Sequence, residues 1–227
     1  HSSIYIGATL VLMPRWDRDL AGRLISKWKI THWTNIPTMV IDLLGSPNMA
    51  QFDLSSLVNI GGGGAAMPEA VAQRLLDQFG LKYIEGYGLT ETAAPSHTNP
   101  PDAPKKQCLG IPFMSVDARV VDPATFVELP PGEIGEIVVH GPQVMLGYWN
   151  KPEATTSTID AEGWLHTGDV GTILPENGAV KIIDRKKNIF KLQQGEYIAP
   201  DKLESAYKLA HPCVSELFIY RSEEHTS

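Results

Sequence analysis

The residues best suited to chemistry fall in three short stretches. Tyr87-Gly88-Leu89-Thr90-Glu91-Thr92 sets an aromatic ring, hydroxyls and a carboxylate close together, just after the apolar run Leu81 to Glu85. A ring of this kind can stack on a nucleobase, a Thr hydroxyl can donate to a phosphate oxygen, and a Glu carboxylate is the hard oxygen ligand that Mg2+ prefers. The same residues also suit a polar turn capping the next segment. Gly163-Trp164-Leu165-His166-Thr167-Gly168-Asp169 ends a β-like run in a lone carboxylate, suited to accept hydrogen bonds from a ribose diol. Alone, Thr-Gly-Asp is a common structural tripeptide. Gly61-Gly62-Gly63-Gly64-Ala65-Ala66 satisfies G-x-G-x-x-A between a strand and a helix, with Glu85 at the end of the next strand. That layout imitates a dinucleotide fingerprint, in which glycines let backbone N–H groups approach a pyrophosphate. Consecutive glycines match almost any glycine pattern, so a tight turn with close helix packing stays open. Arg185-Lys186-Lys187, after Asp184, is by default a solvated basic patch.

The elements that must position these stretches alternate regularly over the first hundred residues. Ala8 to Met13 reads as a short buried strand. Asp17 to Trp28 carries Leu20, Leu24 and Trp28 at helical spacing. Ile30 to Ile36 is rich in β-branched and aromatic residues. Pro37 sits at a first helical position, with Val40, Ile41 and Leu44 behind it and Gly45 as a stop. Leu57 to Ile60 is the next strand, and Pro68 opens a helix with Val71, Leu75 and Phe79 on one face. Leu81 to Glu85 follows as a strand. This order predicts parallel βαβ units, whose ligands bind at the carboxyl ends of the strands.

From about Pro100 the pattern becomes antiparallel β, with short runs at Val116 to Val121, Glu136 to His140 and Val180 to Ile183. Asn177-Gly178 between Thr172-Ile173-Leu174 and Val180-Lys181-Ile182 predicts a hairpin, because both turn residues tolerate positive φ. This half reads as a distorted barrel. Asp201 with Glu204 resembles a capping box, and a last strand spans Val214 to Tyr220. The expected fold class is therefore α/β, with boundaries at 1–100 (parallel αβ), 101–183 (β-rich), 184–187 (a basic connecting segment) and 188–220 (the start of a small α+β domain). Residues 221–227 look foreign to the fold, like a translated sequencing adapter. The expectation is a chain incomplete at both ends.

Composition excludes several classes. The 227 residues are 43% hydrophobic and carry a formal net charge of −7, which argues against disorder and against nucleic acid as a partner. Cys108 and Cys213 stand far apart, against a Cys-based zinc site and in keeping with a reducing compartment. No apolar run nears the ~18 residues a membrane span needs. The expectation is a soluble cytoplasmic protein acting on small molecules, with peripheral membrane contact and oligomeric state left open.

Six motifs in order carry a resemblance. Gly-Gly-Gly-Ala-Ala, Tyr-Gly-Leu-Thr-Glu-Thr, Gly-Glu-Ile-Gly-Glu-Ile, Met145-Leu146-Gly147-Tyr148-Trp149-Asn150, Gly-Trp-Leu-His-Thr-Gly-Asp and Asp184-Arg185-Lys186-Lys187 together resemble the adenylate-forming (AMP-binding) family, and within it the fatty acyl-CoA synthetases. The resemblance implies an enzyme that uses ATP and Mg2+ to turn a carboxylic acid into an acyl-adenylate, then passes the acyl group to coenzyme A. It implies that Gly64, Ala65 and Ala66 border adenine and the acyl carboxylate, and that Tyr87 stacks on the base beside Glu85 and Gly88. Thr90 would contact phosphate, Glu91 would bind Mg2+, and Asp169 and Arg185 would grip the ribose hydroxyls. Lys187 falls at the family's hinge, and Gly195 in a loop that meets the pantetheine channel. The phosphate loop would precede His1 and the C-terminal lysine would follow Tyr220, so this polypeptide is expected to make little or no acyl-adenylate. A related reading keeps the fold and changes the acid to an aryl or amino acid with another acceptor.

Overall fold

The computed structural model describes residues 2–191, 197, 198, 200, 203, 204, 207, 217 and 219. Gly195, Cys213, Asp201 of the expected capping box, most of the last expected strand and the final heptapeptide lie outside the described residues. The chain forms two compact units, one of residues 1–88 with 97–110 and one of residues 89–96 with 111–227.

The first unit is the parallel one. Strands β1 (His32–Asn35), β2 (Asn59–Gly62) and β3 (Tyr83–Tyr87) run parallel in that order, and β4 (His97–Thr98) returns antiparallel to β3. A single helical turn, α1 (Ser2–Tyr5), precedes α2 (Arg18–Trp28), α3 (Pro37–Leu44) and α4 (Glu69–Phe79). Each long helix begins and ends for a local reason. Asp17 caps α2 by accepting the Leu20 N–H at 2.7 Å. Pro37 opens α3 at a position where its missing N–H costs nothing. Gly80, at φ +67, closes α4 and donates its N–H to the Leu75 and Leu76 carbonyls. Leu43, Ile60, Met67 and Leu75, each 1% exposed, form the centre of the core, and each such burial contributes about 1.5–3 kcal/mol.

Three sequence expectations change here. Ala8 to Met13 is not a strand; it has no ladder among the described residues and Leu12 is 81% exposed. An apolar run becomes a strand only where a neighbour supplies the ladder. The buried stripe of α2 is Ala21, Gly22 and Ile25, one residue off the Leu20-Leu24-Trp28 series, and Trp28 is exposed. Gly22 decides the rotation, because the Phe52 ring packs where a Cβ would stand. β2 and β3 each lie about two residues later than the apolar runs suggest.

The second unit holds an antiparallel meander of β6 (Asp117–Val121), β7 (Gly135–His140), β8 (Leu165–Ile173) and β9 (Val180–Arg185), in that order. Among the described residues this sheet is open, not a closed barrel. It also contains the short β5 (Ile111–Pro112), helix α5 (Pro152–Thr158) and the two-residue pair β10 (Phe190–Lys191) and β11 (Tyr197–Ile198). The expected hairpin forms between β8 and β9. Only Gly178 takes positive φ, and the loop closes through Leu174 N–H to the Ala179 carbonyl at 2.9 Å and Gly178 N–H to the Leu174 carbonyl at 2.8 Å. Residues 175–178 thus form a four-residue loop, with Gly in the left-handed position, rather than a two-residue turn. Among the described residues no helix is long and apolar enough to cross a membrane.

Candidate nucleotide and acyl-transfer site

The glycine run ends β2 and enters α4. Gly61 and Gly62 belong to the strand itself, where a Cβ would strike the Ile84 and Asn35 carbonyls, so close approach to both neighbouring strands demands glycine there. Gly64 turns the chain at φ +88, and Ala65 and Ala66 stand exposed after it. Glu85 holds this turn from below. It is 5% exposed, and one carboxylate oxygen accepts the Met67 N–H at 3.2 Å and the Gln107 N–H at 3.3 Å. Burial raises its pKa, and the two N–H groups offset that only in part. Its carboxylate therefore faces protein N–H groups at the mouth of the loop.

Tyr87 ends β3 buried, its ring tilted against His97 at 5.7 Å between centroids, while Gly88 after it is exposed. His97 is fully buried, and burial lowers its pKa to about 4, so the ring is neutral at pH 7. Asn99, also buried, ties the floor together. Its amide donates to the carbonyls of Glu85 at 3.3 Å and Cys108 at 2.5 Å and accepts the Lys105 N–H at 2.9 Å. His97 and Asn99 were missed in sequence, where neither sits in a recognisable pattern.

In the second unit, Thr90–Thr92 forms one 3-10 turn. The buried Thr92 hydroxyl accepts the Leu89 N–H at 2.9 Å and lies 2.9 Å and 2.8 Å from the Leu89 and Ala94 carbonyls. That staple leaves Thr90 exposed and Glu91 half-buried. Glu91 accepts the Tyr148 hydroxyl at 2.7 Å, and its carbonyl accepts the Met145 N–H at 2.7 Å. The hydrogen bond to the carboxylate raises the Tyr148 pKa, with burial adding to it.

Glu91 lines a cavity of about 590 Å³ together with Tyr148, Glu136, His166, Arg185 and Lys186. Arg185 reaches back from the end of β9 to Asp169 on β8, Nε to Oδ1 at 2.9 Å, across directly paired residues. Asp169 is 3% exposed and the Arg185 side chain 56%, so the pair joins a buried carboxylate to a guanidinium at the surface of this unit. Glu136 is buried at 2% and meets Lys186 Nζ at 3.0 Å. Lys187 is exposed. The structure thus brings Glu91 and Arg185 to one cavity, with Asp169 against Arg185. The additions to that cavity include Glu136, Tyr148, His166 and Lys186; all four lay inside motifs noted in the sequence, where Lys186 was by default surface charge.

Among the described residues no group of three or more His, Cys, Asp or Glu converges as a metal cage. A cation at Glu91 would draw its other oxygens from ligand and water. Mg2+ does this, binding through one or two carboxylates plus phosphates, so the residues present fit it.

The comparisons with known proteins agree on the family. The AMP-binding enzyme profile matches residues 1–149. A long-chain-fatty-acid–CoA ligase of Bacillus subtilis is 38% identical over 218 residues, covering 96% of this chain and 38% of the relative. The 4-coumarate–CoA ligase 1 of Glycine max is 37% identical over 215 residues, covering 92% of this chain and 72% of that protein. Among solved structures, O-succinylbenzoate coenzyme A synthetase from Bacillus subtilis, in complex with ATP and magnesium ion, superposes with a TM-score of 0.83 at 29% identity, over 98% of this chain and 45% of its own. The chain spans well under half the length of that bacterial fatty-acid relative. With its profile match over more than half its length and its relatives at this identity, the chain belongs to the AMP-binding enzyme family.

Proposed function

We propose that this chain is part of an ATP-dependent acyl-CoA synthetase acting on a fatty acid. The Asp169–Arg185 pair beside the cavity that Glu91 lines is the observation that supports it most directly. Asp169 accepts the ribose hydroxyls, and Arg185 orients that carboxylate and donates to the sugar. Thr90 donates to phosphate. Glu91, oriented by Tyr148, binds Mg2+, which when present neutralises charge on the phosphate oxygens. Gly64, Ala65 and Ala66 border the adenine and the acyl carboxylate, with Tyr87, Glu85 and Gly88 on the base side. Lys187 serves as the hinge.

In the first half-reaction a carboxylate oxygen of the acid attacks the α-phosphorus of ATP, and the bond to the leaving pyrophosphate breaks. In the second, the coenzyme A thiolate attacks the acyl carbonyl and AMP leaves. Charge grows on phosphate oxygens in the first step, where fixed donors such as the Thr90 hydroxyl would stabilise it. Fatty acids are the preferred class because the motif series resembles the fatty acyl enzymes and relatives of that class are 38–39% identical. The 37% identical 4-coumarate ligase supports an aryl acid as the second reading. Pyrophosphate release and acyl-CoA formation by the protein encoded by the full reading frame, across fatty, aryl and amino acids, tests both. Turnover confined to fatty acids is expected; turnover confined to aryl acids selects the alternative, and no acid-dependent release refutes the reading.

A further inference from the structure

We propose that Glu136 is the positioning residue of the Asp169–Arg185 pair; this rests on the nucleotide-binding reading above. Between the pairs Glu136↔Val170 and Val138↔His166, β7 contributes one residue, Ile137, while β8 contributes three, Thr167 to Asp169. This bulge carries Asp169 out of the β7–β8 ladder while it stays paired with Arg185 on β9, as bulges beside functional sites can do. A bulge leaves backbone groups without ladder partners, and here side chains supply them. The Thr167 hydroxyl donates to the Ile137 carbonyl at 2.7 Å and accepts the Asp169 N–H at 3.1 Å, while Glu136 accepts the Gly168 N–H at 3.2 Å. Gly168 holds φ +68, which glycine takes without strain.

The second carboxylate oxygen of Glu136 takes Lys186 Nζ at 3.0 Å, and His166 Nδ1 stands 3.5 Å from it. Lys186 also donates its backbone N–H to the Gly168 carbonyl at 2.7 Å. The two main partners of Glu136 are therefore the residue immediately before Asp169 and the residue immediately after Arg185. One carboxylate, with 3% side-chain exposure, clamps the two strands at the place where the pair forms. A buried carboxylate is costly unless its hydrogen bonds are complete, so this position is a poor choice for stability alone. Its value lies in fixing β8 against β9, and with them the angle at which Asp169 faces a sugar.

The test uses four chains: wild type, Glu136→Gln, Lys186→Met, and Glu128→Gln as an exposed-carboxylate control on the same unit. Two quantities are measured: solvent exchange of the Arg185 Nε proton by NMR without ligand, and AMP affinity by calorimetry. Glu136→Gln is expected to speed Arg185 exchange and weaken AMP binding by about tenfold each, with the Val138 and Val139 amides still protected. Lys186→Met shifts both in the same direction by less, and Glu128→Gln shifts neither. Unchanged Arg185 exchange in Glu136→Gln with an intact sheet overturns the proposal. Should that variant lose protection throughout β7, Lys186→Met decides: faster Arg185 exchange in an intact sheet supports the clamp, and unchanged exchange overturns it. A wild-type chain that does not bind AMP, yet whose Arg185 exchange responds to Glu136, refutes the nucleotide reading and supports the clamp.

Discussion

Each of the two units buries one glutamate beside its candidate functional loop, and they compensate it differently. In the parallel unit Glu85 accepts the backbone N–H groups of Met67 and Gln107, with no cation paired to it among the described residues, and burial raises its pKa. In the antiparallel unit Glu136 has one N–H, a lysine ammonium and a nearby imidazole. The difference follows from how each unit makes its loop. Parallel strands end in backbone turns that converge on a carboxylate from above. An antiparallel bulge opens space beside a neighbouring strand, where long cationic side chains can reach in. Neutral dipoles hold a turn; a cation also ties two strands.

Substitutions can break this contrast. The largest effect is expected at Gly62, where a Cβ would strike the Asn35 carbonyl on the neighbouring strand. Gly62→Ala should destabilise the parallel unit by about 3 kcal/mol or more, read by urea unfolding, because backbone cannot move aside as a side chain would. His97 comes next. Its folded pKa of about 4 lies below its ordinary 6.5, so its contribution is present above 6.5 and lost as pH falls toward about 4. Relative to His97→Gln, the wild type should lose on the order of 3 kcal/mol across that window; parallel pH profiles of the two would contradict this.

Glu85 has the opposite sign. A carboxylate whose folded pKa is raised costs stability as pH climbs through that value. Glu85→Ala should lose about 1–3 kcal/mol by stranding two N–H groups. Glu85→Gln retains an acceptor without the buried charge, and should match or exceed wild-type stability at pH 7 while losing that advantage below pH 4. A Gln variant as unstable as the Ala variant would show that charge, not acceptance, holds the loop. The smallest effect is expected at Gly168, where a Cβ would meet nothing within 4 Å. Gly168→Ala should cost about 1 kcal/mol, from φ alone. A larger loss by thermal unfolding would mean that the bulge is packed more tightly than this.

Much of the parallel unit was legible because its signals are local. Pro37 starts α3 and Gly45 ends it, and the Val71-Leu75-Phe79 face belongs to the core set. The errors sit where a partner decides. Ala8 to Met13 has the composition of a strand without the ladder, and the rotation of α2 depends on Phe52, far along the chain. The antiparallel unit shows the same limit in its chemistry. Thr90, Glu91, Asp169 and Arg185 stood out by residue type within short motifs. Tyr148 and Glu136 were in view too, yet their partners lie 57 and 50 residues away, at Glu91 and Lys186. Nothing in residue type announces which distant side chain a bulge will admit.

The central claim is that Asp169, held by Arg185, reads a ribose diol. It is tested most directly by comparing the affinity of this chain for AMP and for 2′,3′-dideoxy-AMP, in wild type and in Asp169→Asn. The wild type should prefer AMP by about tenfold or more, since a site that hydrogen-bonds a hydroxyl rejects the analogue lacking it, and Asp169→Asn should abolish the preference. Equal wild-type affinity for the two nucleotides, or a preference that survives the substitution, would contradict it.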